Sequence, residues 1–220
     1  MKKTDLLLIN KKIEENTIYP LDNKINKIIK RSFDIFLSFP ILIILSPLMI
    51  FLAILIKISS KGNIFFIQER ITENNRPFNM YKFRTMIFEA EKETGPVWAD
   101  NNDNRCTKLG DFFRRTGLDE LPQLINVLKG DMSLIGPRPE RPFFVDIFKN
   151  EIPNYIERHK VKSGVTGLAQ INGLRGKTSL DERIYFDVYY IKNWSFFLDI
   201  FILFKTFSIT YKNLFIKIVN

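Results

Sequence analysis

Residues 35–56 read IFLSFPILIILSPLMIFLAILI, an uncharged stretch that would extend over about 33 Å as a helix. That length is comparable to a bilayer core, and the stretch is too long and begins too far into the chain for a secretory signal peptide. The formal net charge of +9 fits either nucleic acid or an anionic membrane as a partner. The apolar stretch favours the membrane and argues against nucleic acid.

The charges around this stretch predict that it turns back within the membrane. Basic residues stand on both sides of it, namely Lys24, Lys27, Lys30 and Arg31 before it and Lys57 and Lys61 after it. The positive-inside rule therefore draws both ends to the same side. Ser46-Pro47 lies in the middle, where proline bends a helix. We predict a re-entrant helix-break-helix over about residues 30–58 with its bend at Ser46 and Pro47. An ordinary transmembrane helix with a tolerated proline is the alternative.

Beyond this segment the pattern predicts a small, mainly helical α+β domain. Residues 63–70 and 77–84 resemble two strands joined by a polar turn, which indicates a β-hairpin. Proline or a serine cap marks the starts of several predicted helices, at Leu121, Pro142, Pro153 and Leu180. Residues 194–219 are apolar but interrupted by charges, which predicts an interfacial amphipathic helix.

The chain shows no internal repeat or linker that would divide it into independent domains. We predict a poorly defined leader over residues 1–23 and one core over residues 24–220, with a catalytic region at about 62–193. Cys106 and His159 are the only residues of their kinds, so an internal disulfide and a histidine-rich metal site are excluded. We interpret both as structural and expect the polar part to face the cytosol.

Residues 114–140 read RRTGLDELPQLINVLKGDMSLIGPRPE and carry the main indication of function. Asp119 and Glu120 are adjacent and precede a predicted helix, while Arg114 and the proline-flanked Arg138 supply cations. Guanidinium groups bind oxyanions and a carboxylate can hold a divalent cation, so this set suits a metal-bound phosphate substrate. A helix cap is the alternative role for Asp119.

Other residues are weaker candidates for substrate binding. Lys82 and Arg84 would share one face of a strand, where they could bind a diphosphate or merely protect a sheet edge. The glycine-rich segment 164–173 resembles a loop whose Gln170 and Asn172 could hold a base or a sugar, although turns also explain its glycines. Arg175, just beyond this segment, is a further candidate.

Several motifs in one order resemble a known family, and they are YKFRTM at 81–86, LDELPQ at 118–123, LKGDMS at 128–133, GPRP at 136–139 and GLAQING at 167–173. From about residue 28 onward the chain resembles the bacterial sugar transferases, the monotopic polyprenyl-phosphate phosphoglycosyl transferases. Several motifs in a shared order are far more specific than one motif alone.

The resemblance implies transfer of a sugar 1-phosphate from a UDP-sugar to undecaprenyl phosphate with release of UMP, the initiating step of bacterial surface glycan synthesis. It assigns the nucleophile to Asp119, which would form a covalent aspartyl phosphosugar, and it gives Glu120 a role in holding Mg²⁺. It also implies a re-entrant segment with Ser46-Pro47 at the bend, in the bacterial inner membrane with the active site facing the cytosol.

The resemblance does not identify the sugar, and homo-oligomers or downstream glycosyltransferases are further expected partners. One alternative function is a membrane glycosyltransferase that moves only the sugar and releases UDP. The other is an inactive membrane-bound scaffold that holds anionic lipids or glycan enzymes through its basic face.

Overall fold

The computed structural model describes residues 19–87, 89–92, 95, 97, 103–176 and 178–219, with side chains as far as residue 212. Most of the predicted leader, residues 1–23, lies outside this range. The described part begins with a 3₁₀ turn at Pro20–Asp22 and continues into the helix that contains the apolar stretch.

Helix α1, Lys24–Ser59, contains the whole apolar stretch. It begins where the Asn23 side chain accepts a hydrogen bond from the Ile25 amide, and it continues through Pro47. Because Pro47 has no N–H to offer the Ile43 carbonyl, the Ser46 hydroxyl donates to that carbonyl instead, at 2.8 Å. Of the described helices, α1 alone is long and apolar enough to cross a membrane.

The first half of α1 is fixed to the polar domain by charged side chains. Lys30 pairs with Asp199 at 2.7 Å, and Asp34 accepts hydrogen bonds from the Ser133 hydroxyl and the Leu134 amide. Lys30 and Asp34 thus both have partners, since a buried charge without one would be costly. The second half is held by apolar packing, through the buried Leu52 and Ile56.

The predicted hairpin is confirmed. Strand β1, Phe65–Ile71, pairs antiparallel with β2, Pro77–Phe83, through a turn in which Asn74 and Asn75 take left-handed backbone angles. Strands β3, Ser133–Ile135, and β4, Gly164–Thr166, form a small parallel pair in the main core.

The remaining described helices surround these strands, and they are α2 (Lys108–Thr116), α3 (Gln123–Lys129), α4 (Pro142–Glu151), α5 (Leu168–Ile171), α6 (Leu180–Lys192) and α7 (Phe196–Val219). The helices predicted at Leu121, Pro142 and Leu180 are confirmed, although the first begins two residues later. Ser179 caps α6 by accepting from the Glu182 amide. The fold is therefore a mixed α+β domain with one long apolar helix.

Two sequence expectations were wrong. The helix predicted at Pro153 is a 3₁₀ turn, Tyr155–Lys160, because the chain first passes through a left-handed Asn154. The predicted loop at 164–173 is instead β4 followed by α5. Its Gly164 is needed because a side-chain carbon there would overlap the Gly136 backbone, not because the segment must turn.

Candidate active site

A cavity of about 1160 Å³ opens between the hairpin and the segment that joins α2 to α3. Charged side chains from distant parts of the chain line it, and they include Lys82, Arg114, Asp119, Glu120, Arg138 and Arg175. With Arg84, which also lines the cavity, the structure therefore brings together seven of the residues that the sequence singled out as site candidates.

The backbone places Asp119 at the base of a turn between two helices. Helix α2 ends at Gly117, whose φ of 76° is accessible to glycine at little cost, and a 3₁₀ turn, Leu118–Glu120, follows before α3. Asp119 is only 6% exposed, yet no described residue donates a hydrogen bond to its carboxylate. Burial of an ionised acid without such donors is costly.

Glu120, by contrast, is held by two cations. Lys82 Nζ lies 3.0 Å from its Oε1, and the Arg138 guanidinium contacts both of its oxygens. These contacts fix the rotamer of Glu120 and set its charge beside Asp119. Two neighbouring acids thus have different surroundings.

The surroundings separate the pKa values of the two acids. Burial raises the pKa of Asp119 from 3.8 to about 6, with the Glu120 charge acting in the same direction and Lys82 and Arg138 opposing it. Burial would also raise the pKa of Glu120, but Arg138 and Lys82 outweigh it and hold that pKa well below its ordinary value. At neutral pH Glu120 is an anion and Asp119 is largely so.

Arg138 is itself positioned by a buried ion pair. Its carbonyl accepts from Arg158 at 2.8 Å, and Arg158 also pairs with Asp187 at 2.8 Å. Gly136, two residues earlier, lies so close to the Lys162 carbonyl that a side chain there would overlap it. This packing and the two flanking prolines restrict the backbone that carries the Arg138 guanidinium.

Two candidates do not line the cavity, and two that do are bound to other parts of the protein. Gln170 and Asn172 are not among the cavity-lining residues, and their side-chain amides donate to the Val165 and Leu168 carbonyls. The Arg84 guanidinium donates to the Ser60 and Lys61 carbonyls and so ties the end of α1 to the hairpin. Arg114 donates to the Cys106 sulfur at 2.7 Å.

Sequence reasoning missed a second group of charged residues in the same cavity. Arg70 pairs with the buried Glu140 at 2.9 Å, and Arg141 binds Glu91 through two hydrogen bonds of 2.9 and 3.0 Å. The alternation of proline with charge in GPRPER, residues 136–141, was the available signal. Nothing in the sequence indicated that Arg70, on the hairpin, would contact Glu140 of this segment.

The donor set is compatible with Mg²⁺ but would not enclose it. Within the described residues no group of three potential acidic, histidine or cysteine ligands occurs. Glu120 is ionised and its Oε2 has only a 3.4 Å contact with Arg138, so lone pairs remain, and Asp119 is adjacent. Mg²⁺ is commonly bound by one or two carboxylates together with substrate phosphates and water. The residues present fit that mode.

A family model for bacterial sugar transferases matches residues 25–213. The chain belongs to this family. This sugar transferase is 46% identical over 188 residues to the UDP-N-acetylgalactosamine-undecaprenyl-phosphate N-acetylgalactosaminephosphotransferase of Aeromonas hydrophila. The aligned residues are 84% of this chain and 44% of that protein. The UDP-glucose:undecaprenyl-phosphate glucose-1-phosphate transferase of Escherichia coli K12 is 44% identical over 187 residues, 83% of this chain and 40% of its own length.

The sugar transferase described here thus spans less than half the length of these two relatives. The exopolysaccharide production protein PSS of Rhizobium leguminosarum is 41% identical over 186 residues, which cover 81% of this chain and 93% of that protein. The region containing Asp119, Glu120 and Arg138 lies within the range matched by the family model.

Proposed function

We propose that this sugar transferase moves a sugar 1-phosphate from a UDP-sugar to undecaprenyl phosphate and releases UMP. The observation that carries the proposal is the different environment of two adjacent acids at the base of a cation-lined cavity. Asp119 is buried without a hydrogen-bond donor, and Glu120 is fixed by Lys82 and Arg138. The names of the relatives support these substrates.

In the first step, an oxygen of the Asp119 carboxylate attacks the β-phosphorus of the UDP-sugar. The bond between that phosphorus and the bridging oxygen breaks, and its electron pair leaves with UMP. The product is an aspartyl phosphosugar. The poor solvation of Asp119 favours attack because little hydration must be removed from its carboxylate.

In the second step, a phosphate oxygen of undecaprenyl phosphate attacks the same phosphorus. The carboxylate of Asp119 leaves with its electron pair, which restores the enzyme and yields a polyprenyl diphosphate sugar. No proton has to move if the attacking lipid phosphate is a dianion. Each substrate thus reacts with the enzyme in turn, which predicts ping-pong kinetics.

Cationic side chains offset the repulsion between the carboxylate and the diphosphate. Lys82, Arg114, Arg138 and Arg175 line the same cavity as Asp119. In a poorly solvated site such fixed charges contribute far more than in water. Glu120 would hold Mg²⁺ together with the phosphates of the donor. When bound, Mg²⁺ neutralises charge that develops on the phosphate oxygens.

We further propose that α1 enters the membrane and returns to the same side. Arg31 donates to the Val127 carbonyl, while Arg84 donates to the Ser60 carbonyl at the other end of α1. Asn126, next to Val127, accepts from the Tyr81 amide, three residues before Arg84. The Val127 and Arg84 backbones therefore lie within about 20 Å, less than a bilayer core of roughly 30 Å.

The tail supports the same placement. On α7, three exposed phenylalanines at helical spacing, Phe197, Phe201 and Phe204, form an apolar face. An interfacial helix would bury such a face in the headgroup region. The active site would then lie at the cytosolic surface of the bacterial inner membrane, within reach of a lipid phosphate.

The proposed activity is tested by nucleotide release from the detergent-solubilised protein with Mg²⁺, undecaprenyl phosphate and a panel of UDP-sugars. UMP should be released with at least one sugar, and Asp119→Asn should lower the rate by at least about a thousandfold. Asp181→Asn, at an exposed acid in the first turn of α6, is the matched control and should retain activity.

The intermediate is tested with the UDP-sugar alone. The intact mass of the protein should increase by one sugar phosphate in the parent and in Asp181→Asn, but not in Asp119→Asn. Full activity of Asp119→Asn would refute the mechanism. Release of UDP would indicate transfer of the sugar only, and absence of release with every sugar would favour the scaffold.

A further inference from the structure

A second cavity of about 300 Å³ lies between the first turns of α1 and the segment before β4. It shares no lining residue with the catalytic cavity. Helix α3 separates the two, because Asp119 precedes it and Arg31 binds the carbonyls at its end. Four basic and two acidic side chains line it, namely Lys27, Lys30, Arg31 and Lys162 with Asp34 and Glu73.

Two of these cations are held close together. A side-chain carbon placed on Gly130 would lie 3.5 Å from both Lys162 Nζ and an Arg31 guanidinium nitrogen, so the two nitrogens are no more than twice that distance apart. Lys162 is half-buried, and its ammonium has no hydrogen bond or ion pair with any described residue. Its pKa is lowered by burial and by the Arg31 charge.

The acids at this cavity, Glu73 and Asp34, offset only part of its positive charge, and neither forms an ion pair with Lys162. Asp34 already accepts two hydrogen bonds, and Lys30 is committed to Asp199. Glu73 lies 3.9 Å from the Lys27 ammonium, at the outer limit of an ion pair. The positive charge of Lys162 and Arg31 is thus left for an external anion.

The position in the chain favours a lipid as the source of that anion. The cavity is lined by the last basic residues before the apolar stretch of residues 35–56. Basic residues at the end of a membrane segment lie at the depth of the headgroup phosphates. Ile28 and Phe36, about two turns apart on α1, are exposed and would contact acyl chains. Anionic headgroups are attracted to such basic clusters.

We propose that this cavity binds the headgroup phosphate of an anionic membrane lipid through Lys162, Arg31 and Lys27. The bound lipid would occupy a site separate from that of the lipid substrate. It would fix the start of α1 against the end of α3, where Arg31 already donates to the Val127 and Leu128 carbonyls at 2.6 and 2.7 Å.

The experiment measures lipids retained by the full chain in a neutral detergent, by native mass spectrometry with phosphatidylglycerol or phosphatidylcholine added. The parent should retain phosphatidylglycerol severalfold better than phosphatidylcholine. Lys162→Gln should lose that preference. Lys149→Gln, at an exposed lysine on α4 paired with Asp146, is the matched control and should keep it.

A variant with the opposite expected effect on lipid retention distinguishes a loss of binding from a damaged fold. Glu73→Gln removes a negative charge from the cavity wall and should increase phosphatidylglycerol retention, which a damaged fold would not do. Equal retention of the two lipids by the parent, or equal behaviour of Lys162→Gln and Lys149→Gln, would overturn the proposal.

Inorganic phosphate should displace the lipid only weakly. Binding of phosphate that Lys162→Gln abolishes but phosphatidylglycerol does not compete with would show a free-anion site in this cavity and overturn the lipid assignment.

Discussion

At the scale of single residues, Glu120 depends on the guanidinium of Arg138 for its rotamer and its charge. Arg138→Met removes a charge-assisted contact to both carboxylate oxygens and should lower kcat/KM by about ten- to a hundredfold, since such a contact contributes about 1.5–3 kcal/mol. The rate of UMP release at limiting UDP-sugar measures this.

Arg76→Met is the control for that substitution. Arg76 forms an exposed pair with Asp131 at 3.3 Å, and such surface pairs contribute little. It should leave kcat/KM within about twofold of the parent. Comparable losses in both variants would show that Arg138 has no special role at Glu120.

His159 makes folding stability depend on pH. It is 4% exposed, its Nδ1 lies 2.6 Å from the Asn75 side-chain oxygen, and burial together with the Arg158 charge lowers its pKa from 6.5 to about 3. As the pH falls below 6.5, the unfolded chain takes up a proton that the folded protein does not accept until about pH 3. Burial of neutral His159 therefore does not lower the free energy of unfolding above pH 6.5, but it does so increasingly as the pH falls from 6.5 towards 3.

His159→Gln should flatten this dependence, because glutamine can still bind Asn75 but does not titrate. The test is thermal unfolding in detergent at a series of pH values from 4.5 to 7.5, a range set about the ordinary pKa of histidine. The parent should lose more stability than the variant as the pH falls. Parallel curves would contradict the assignment of this slope to His159.

At the scale of elements, the 3₁₀ turn Tyr155–Lys160 and helix α6 hold the loop that carries Arg138. They meet through the fully buried pair of Arg158 and Asp187, from which Arg158 also reaches the Arg138 carbonyl. Arg158→Met should destabilise the protein by about 3–5 kcal/mol because it leaves Asp187 buried without its partner.

The double variant Arg158→Met/Asp187→Leu separates packing from positioning. It should recover much of the lost stability, since neither side chain is then charged. Its kcat should stay below that of the parent, as should that of Arg158→Met, because the Arg138 carbonyl lacks its donor in both variants. Thermal unfolding and UMP release measured on the same samples decide this. Recovery of both stability and kcat would show that the pair is only structural.

At the scale of the whole molecule, the two ends of α1 contact one polar domain, which favours the re-entrant hairpin over a span. In a Cys106→Ser background, cysteines placed at the exposed Lys24 and Lys61 should react with an impermeant thiol reagent from the same, cytosolic side. A cysteine at Lys149, on the polar domain, is the reference for that side. Labelling of Lys24 and Lys61 from opposite sides would establish a true span.

The sequence predicted the elements better than their contacts. Proline and glycine at fixed offsets predicted α3 and α4, and alternation of apolar and polar residues predicted the hairpin, because these signals act within a few residues. The segment 164–173 was misinterpreted because Gly164 and Gly167 serve close backbone approach to Gly136, a partner that lies far away in the chain, and only Gly173 serves a turn.

For the site, the sequence by itself determined the candidate groups: the adjacent Asp119 and Glu120, the basic residues of the motifs, and an apolar stretch long enough to cross a membrane. These are properties of residue type and local spacing. Only the tertiary structure decided that Lys82 and Arg138 bind Glu120 while Asp119 stays without a donor, and that Gln170 lies away from the cavity. Burial and charge pairing depend on segments that meet only when the chain folds, so no local pattern encodes them.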